Sequence, residues 1–252
     1  MPALDYSRLA AIYDDYCDFD RDLDFFRSLL VRRGGQVLEL MAGTGRISVP
    51  LLEAEIELTC LDSSAAMLRV LQRKLGQRHL RAALVCADLS TMRLRARFDT
   101  VILPFQGFCE LVTKEEQRKA MGAVAGVLDG CGRFVCTTHN PAIRRRTLDG
   151  NWHAMGEFPR QAGGVVRLAL KGKLEPTRRI VEGHQRLEVT DKSGGKSEIL
   201  IPLRFSLVSA SELSALAEAA GLELVSLCGD YDGSGYDETR SPVIIATFQR
   251  SG

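Results

Sequence analysis

Two glycines and three carboxylates in this chain are spaced so that an apolar framework would bring them to one edge. Val37-Leu38-Glu39-Leu40 is a short apolar run that leads into Met41-Ala42-Gly43-Thr44-Gly45-Arg46. Gly43 and Gly45 let the backbone turn sharply and approach a ligand without side-chain interference. The helix that follows offers unpaired backbone N–H groups. Asp62 closes the next apolar run, and an acid about 20 residues beyond such a loop suits a ribose diol. Asp88 follows the third run. Alone, each acid reads more simply as a loop cap or a solvated carboxylate, and Gly-x-Gly serves tight turns whatever the ligand. In register with one another they predict a cofactor site at the carboxyl ends of neighbouring strands.

Other residues able to do chemistry lie further on. Phe105-Gln106-Gly107-Phe108 follows a fourth apolar run, His139-Asn140-Pro141 a fifth, and Trp152-His153 stands a little beyond. Tyr231 and Asp232 sit in a long polar loop near the end. His139 suits a base or a substrate-orienting group, and equally a packed strand-end histidine. Trp152 is a packing residue unless a bound substrate is flat and aromatic. Arg144-Arg145-Arg146 reads as a solvated face, with an anion clamp as the alternative. The 7 cysteines are scattered and include no Cys-x-x-Cys pair, and the 4 histidines lack metal-ligand spacing. No metal is expected, and the thiols read as reduced.

The elements that must position these groups alternate. Strand-like runs cover 36–40, 57–61, 82–86, 98–103 and 131–138. A helix capped by Ser63 carries Met67, Leu68, Leu71 and Leu75 on one face. A second, opened by the capping box Thr113/Glu116, carries Ala120, Met121, Val124, Val127 and Leu128, with Gly130 as its C-terminal cap. This β-α-β order predicts a parallel sheet covered on both faces. From about Gly163 to Phe205 the pattern becomes alternating, as in an antiparallel sheet of about three strands. The capping box Ser209/Glu212 and Gly221 then bound a last helix, before two closing strands over 222–227 and 243–248. The expected organisation is an N-terminal helical lid over 1–33, a core of 34–160 and 207–252, and an inserted antiparallel β subdomain over 161–206.

The chain has 252 residues, 45% hydrophobic and 26% charged, which suits a globular protein with one sizeable core. A net charge of +1 gives no overall field toward nucleic acid or an anionic membrane, so neither partner is expected. No run approaches the roughly 20 apolar residues of a membrane span, and the first residues lack the blocks of a signal peptide. The expected location is cytoplasmic.

The segments Leu38 to Gly45, Leu61-Asp62-Ser63 through Met67, Ala87-Asp88-Leu89 and Phe98-Asp99 to Phe105 resemble the class I S-adenosylmethionine (SAM)-dependent methyltransferases. The two closing strands resemble that family's terminal hairpin, which nicotinamide-binding domains lack. Ser48, standing at the third dinucleotide-type glycine, further disfavours NAD. The resemblance implies a doubly wound seven-stranded Rossmann-like sheet and SAM as cofactor. It implies that Glu39, Met41, Ala42, Gly43 and Gly45 surround the methionyl end. Asp62 would hold the ribose, and Met67 or Ser63 would lie against adenine. Ala87, Asp88 and Leu89 would sit at the adenine edge, with Leu103 and Phe105 lining the cleft. Tyr13 resembles the N-terminal tyrosine that closes over SAM, and is a second catalytic candidate beside His139. The family has a glycine where Met41 stands, so a slightly shifted loop is expected.

Methyl transfer requires alignment and exclusion of water, with a base needed only for an acceptor that arrives protonated. Gln106, Phe108, His139, Trp152 and Tyr231 are the expected acceptor pocket. Residues 105–108 are not an Asn-Pro-Pro-Tyr type motif, so exocyclic nucleobase amines gain no support. An insertion at this place is similar to that of small-molecule N-methyltransferases, where it roofs the acceptor pocket or mediates oligomers, which allows a homodimer. The expected activity is methyl transfer from SAM to a nitrogen or oxygen of a small molecule. An RNA or protein methyltransferase and a non-catalytic SAM-binding protein are the alternatives.

Overall fold

The computed structural model describes residues 6–175 and 179–250. The chain runs through α1 (Tyr13–Tyr16), α2 (Leu23–Arg33), β1 (Val37–Leu40), α3 (Ser48–Glu53), β2 (Leu58–Asp62), α4 (Ala65–Gln77), β3 (Ala83–Cys86) and β4 (Phe98–Leu103). It continues through a 3-10 helix (Gly107–Glu110), α5 (Lys114–Val127), β5 (Leu128–His139) and α6 (Pro141–Arg144). Next come β6 (Asp149–Pro159), β7 (Gly164–Glu175), β8 (Ile180–Asp191) and β9 (Lys196–Ser206), then α7 (Ala210–Glu218), β10 (Leu222–Cys228) and β11 (Val243–Arg250).

Seven strands form one sheet in the order β10-β11-β5-β4-β1-β2-β3. The pairs from β5 across to β3 are parallel, while β11 is antiparallel to both β5 and β10. From β1 the chain steps outward through β2 and β3, then returns to place β4 on the other side of β1. The crevice at that reversal, beyond the carboxyl ends of β1 and β4, is where open α/β sheets bind ligands. Period-two alternation divides the core between the two faces of the sheet. Leu38, Leu40, Leu61 and Val101 pack toward α5 and α7, while Val37, Cys60 and Ile102 pack toward α2, α3 and α4.

Local chemistry sets most of the boundaries. The Thr113/Glu116 and Ser209/Glu212 capping boxes are both formed. The start of α4 differs from expectation. Asp62 accepts the Ser64 N–H at 2.7 Å, and Ser64, not Ser63, takes the N-cap and accepts the Met67 N–H. Gly130 is likewise not a helix cap. The chain turns directly from α5 into β5 at Leu128 (φ −71°, ψ 140°), so Gly130 lies within a strand.

The remaining strands, β6-β7-β8-β9, form a four-stranded antiparallel sheet. It therefore begins at Asp149, ahead of the expected 161, and has one strand more than the alternation predicts; part of the expected insertion, 176–178, lies outside the described residues. One face packs Val166, Leu187, Val189 and Ile201 against Leu9, Ile12 and Tyr16 of the N-terminal segment and Met67 and Val70 of α4. Of the helical lid expected over 1–33, Leu9 to Tyr16 pack between the antiparallel sheet and α4, Phe26 and Leu30 of α2 join the core of the seven-stranded sheet, and residues 1–5 lie outside those described. No helix of the described residues is long and apolar enough to cross a membrane.

Candidate cofactor and acceptor site

The glycine turn is fastened to Asp62. The Gly43 N–H donates to Asp62 Oδ2 at 2.8 Å, so this carboxylate joins the end of β2 to the turn after β1. Burial pushes the Asp62 carboxyl above the usual range, against the opposing pull of the Ser64 and Gly43 N–H groups. Gly43 has φ +59°, and nothing lies within 4 Å of where a Cβ would stand. Gly45 (φ +87°) faces inward instead, where a Cβ would fall 2.3 Å from Leu71 Cδ1. One glycine of the pair leaves room above the turn and the other permits close packing beneath it.

Met41 occupies the left-handed region itself (φ 55°). The chain meets the absence of a glycine there by straining a side-chain-bearing residue, at a cost of order 1–3 kcal/mol. Phe105 and Gln106 are also left-handed, at φ 51° and 58°. These three residues follow β1 and β4, the two strands that flank the crevice, and such strain concentrates at functional sites.

The other two acids behave differently. Glu39 is 1% exposed and accepts a 2.6 Å hydrogen bond from Ser48 Oγ. Burial raises its carboxyl to about 8, against the Ser48 hydrogen bond and the Arg46 charge. It lies beneath the turn. Asp88 is exposed and accepts from the Ser90 N–H at 2.7 Å and Ser90 Oγ at 2.6 Å, so its carboxylate shapes its own loop. The strands bring all three acids to one edge, yet only Asp62 is bonded to the glycine turn. Ala42 and Met67 are buried, as are Leu89 and Leu103, while Ser63 is exposed and Ala87 half-buried.

Residues that the motif spacing did not single out hold this region together. Arg46 donates to both Asp22 oxygens at 2.6 and 2.7 Å and to the Phe19 carbonyl at 2.6 Å, and its guanidinium lies 4.6 Å from the Phe105 ring centroid. Asp14 of α1 accepts from Thr44 Oγ1 at 2.6 Å, and pairs with Lys74 Nζ at 2.6 Å. The next residue, Asp15, pairs with Arg160 Nε at 3.2 Å and accepts the Gln161 N–H at 3.1 Å. Two adjacent acids thus tie α1 to the glycine turn on one side and to the antiparallel sheet on the other. Their only sequence signal is position, in the aromatic stretch ahead of β1.

Tyr13 opens α1 and packs edge-on between Tyr6 (6.1 Å) and Tyr16 (5.4 Å). Burial raises its phenol well above the ordinary range. Glu110, at the end of the 3-10 helix after β4, accepts a hydrogen bond from the Tyr6 hydroxyl. Its carboxyl is pushed up to about 7, first by burial, with the Asp62 charge adding and the Tyr6 hydrogen bond opposing.

The expected acceptor residues do not gather in one place. The His139 ring lies 5.5 Å from Phe205 at the seam between the sheets. Burial, and then the Arg144 charge, lower its imidazole to about 3, so it stays neutral and takes up no proton near pH 7. Arg144 is drawn inward over Phe205 at 5.5 Å, whereas Arg145 and Arg146 are exposed. Phe108 is 1% exposed within the main core and is not a pocket wall. Trp152 pairs in register with Lys171 and packs under Arg186 at 4.6 Å. That is the face opposite Gln185, whose amide reaches Tyr16, so Trp152 points away from the lid. Tyr231 joins an aromatic group with Phe19 and Phe25, each at 5.9 Å. Gln106 keeps its place beyond β4, its N–H donating to Thr137 Oγ1 at 3.1 Å.

These residues fit SAM. Gly43 leaves unfilled space above the turn, Asp62 is an oriented carboxylate beside it, and Leu71 of α4 lies where a Cβ on Gly45 would stand. Comparison with known proteins agrees. Residues 37–132 match a methyltransferase domain. The chain is 28% identical to a glycine/sarcosine N-methyltransferase of Parasynechococcus marenigrum (strain WH8102), over 82% of this chain and 70% of that protein. It is 25% identical to the cypemycin N-terminal methyltransferase of a Streptomyces species, over 86% and 84% of the two chains. The CcbJ methyltransferase of Streptomyces caelestis has the same fold, with TM-score 0.83 at 23% identity, covering 97% of this chain and 96% of that one. The chain thus carries a match to a methyltransferase domain over 37–132 and has, over nearly its whole length, the fold of a solved methyltransferase.

Proposed function

We propose that this enzyme methylates the nitrogen of a small-molecule amine. The observation that carries the reading is the pair of related sequences above. One is a glycine/sarcosine N-methyltransferase and the other an N-terminal methyltransferase, and both align over more than four-fifths of this chain. The aromatic packing of Tyr6, Tyr13 and Tyr16 and a net charge of only +1 are in keeping with a small acceptor.

SAM supplies a methyl carbon activated by its sulfonium. The chain's part is to hold, align and exclude water. In this reading the backbone of Ala42 and Gly43, above Glu39 and beside Met41 and Gly45, receives the methionyl end. Asp62 takes the ribose hydroxyls. Ser63 and Met67 flank the adenine, with the backbone of Ala87, Asp88 and Leu89 at its edge. Leu103 and Phe105 form the wall after β4. Tyr13 closes the hollow from the lid, and Gln106 stands at the acceptor end. The antiparallel sheet backs the lid.

The test is methyl-labelled SAM incubated with glycine, sarcosine, D-glucosamine and the dipeptide Ala-Ala. Label on an amine nitrogen, with S-adenosylhomocysteine formed in equal amount, is the expected result. Label confined to hydroxyl oxygens, or no turnover with any of the four, contradicts the reading.

A further inference from the structure

Among the described residues, Glu110 is a carboxylate without a cationic partner. It stands at the end of the 3-10 helix Gly107–Glu110, which the left-handed pair Phe105 and Gln106 sets in place after β4. The start of that helix is tightly fitted. A Cβ on Gly107 would fall 2.8 Å from Leu103 Cδ1 and 2.9 Å from Met41 Sδ, the residue after β1. Glu110 therefore belongs to the same crevice edge as the glycine turn. Its one hydrogen-bond partner among the described residues is the Tyr6 hydroxyl, and no lysine, arginine or histidine is among the groups acting on it. The titratable groups that face it are Tyr6 of the N-terminal 3-10 helix, Tyr13 of α1 and Asp62 of β2, with Cys109 beside it on its own helix.

A half-buried anion with no counter-charge among the described residues is costly, and a chain that keeps one needs something to compensate it. Here its neighbours are phenol rings, whose faces attract cations. An anion beside aromatic faces and next to a cofactor cleft is a recognition surface for an ammonium group. We infer that Glu110 binds the ammonium form of the acceptor and removes its proton, with Tyr6 as the residue that positions the carboxylate. This deepens the proposed function and rests on it.

In the proton transfer the N–H bond breaks, an O–H bond forms on Glu110, and the nitrogen lone pair is freed to act as nucleophile. The proton leaves to solvent after the product departs, returning the carboxylate. A carboxyl near 7 suits this role, because its affinity for protons is matched to neutral solution. The rate should therefore rise with pH as Glu110 ionises.

The experiment uses the full-length enzyme and whichever of glycine, sarcosine, D-glucosamine and Ala-Ala the wild type methylates fastest. Glu110→Gln should lower kcat/KM for that amine by roughly 100-fold or more. Calorimetric affinity for SAM should stay within about twofold, while amine affinity for the S-adenosylhomocysteine complex drops by roughly tenfold. Tyr6→Phe leaves the carboxylate but removes the hydrogen bond that holds its proton affinity down, so the acidic limb of the pH–rate profile should move to higher pH. That variant keeps the inference testable if Glu110→Gln does not fold. Unchanged kcat/KM in Glu110→Gln overturns the inference, as does a loss of SAM affinity as large as the kinetic loss, or an unmoved limb in Tyr6→Phe. If the wild type methylates none of the four amines, the proposed function itself fails. If it methylates one and Glu110→Gln matches it, only the role of Glu110 fails.

Discussion

The two sheets of this molecule handle charge in opposite ways. At the crevice of the seven-stranded sheet, three acids are buried while Asp88 stays exposed. Asp22 is 0% exposed and locked to Arg46, Glu39 is 1% exposed, and Asp62 is tied to backbone N–H groups. On the outer face of the antiparallel sheet, charges are exposed and pair loosely. Arg167 and Glu157 are linked at 2.6 Å with both side chains more than half exposed, and Arg186 lies over Trp152. The same chemical groups therefore differ in consequence. In the first region they are desolvated and each has a specific partner or a raised proton affinity, whereas in the second water screens them. Functional chemistry is expected where groups have been removed from water for a reason.

Mutation can break this comparison most sharply at its ion pairs. Arg46→Ala leaves Asp22 charged, buried and unpaired, which should cost about 3–5 kcal/mol of stability. Arg167→Ala should cost about 1 kcal/mol or less. Denaturant unfolding of the two variants measures the contrast, and equal losses would erase it.

Proton affinity gives a second, smaller contrast. Glu39 keeps its proton up to about pH 8 in the folded state, whereas the unfolded chain releases it in the ordinary carboxylate range near pH 4.3. The folded state thus binds the extra proton between those values, and stability falls as pH rises across that window. Glu39→Gln removes the dependence. Its unfolding midpoint relative to wild type should be higher at pH 8 than at pH 5, and the same difference at both values would place the carboxylate in contact with water.

The difference between the sheets also governs what could be read from the residues. The parallel sheet follows from apolar runs punctuated by Gly43, Gly45, Asp62 and Asp88, because strands buried on both faces consist of little else. Strands β7, β8 and β9 follow from alternation over about 163–205. β6 was missed because Asp149 to Pro159 carries Gly150 and Gly156 and is mostly exposed on both faces, so no apolar period marks it. The site was legible to the extent that it lies on strand ends. Asp62 and the glycines are local in sequence. Glu110, Arg46 and the Asp14–Asp15 pair gain their meaning from partners as far away as Tyr6, Asp22, Lys74 and Arg160, which no local spacing reveals. Trp152 and Phe108 were misplaced for the same reason: residue type suggests a pocket wall, but register and core packing decide which way a ring points.

The most direct measurement is titration calorimetry of SAM against the wild type, Asp62→Ala and Trp152→Ala. With the cofactor at the crevice beyond β1 and β2, loss of the Asp62 carboxylate should weaken binding by roughly 10- to 100-fold, while Trp152→Ala binds within about twofold of wild type. Wild-type affinity in Asp62→Ala, or a loss confined to Trp152→Ala, would contradict the account.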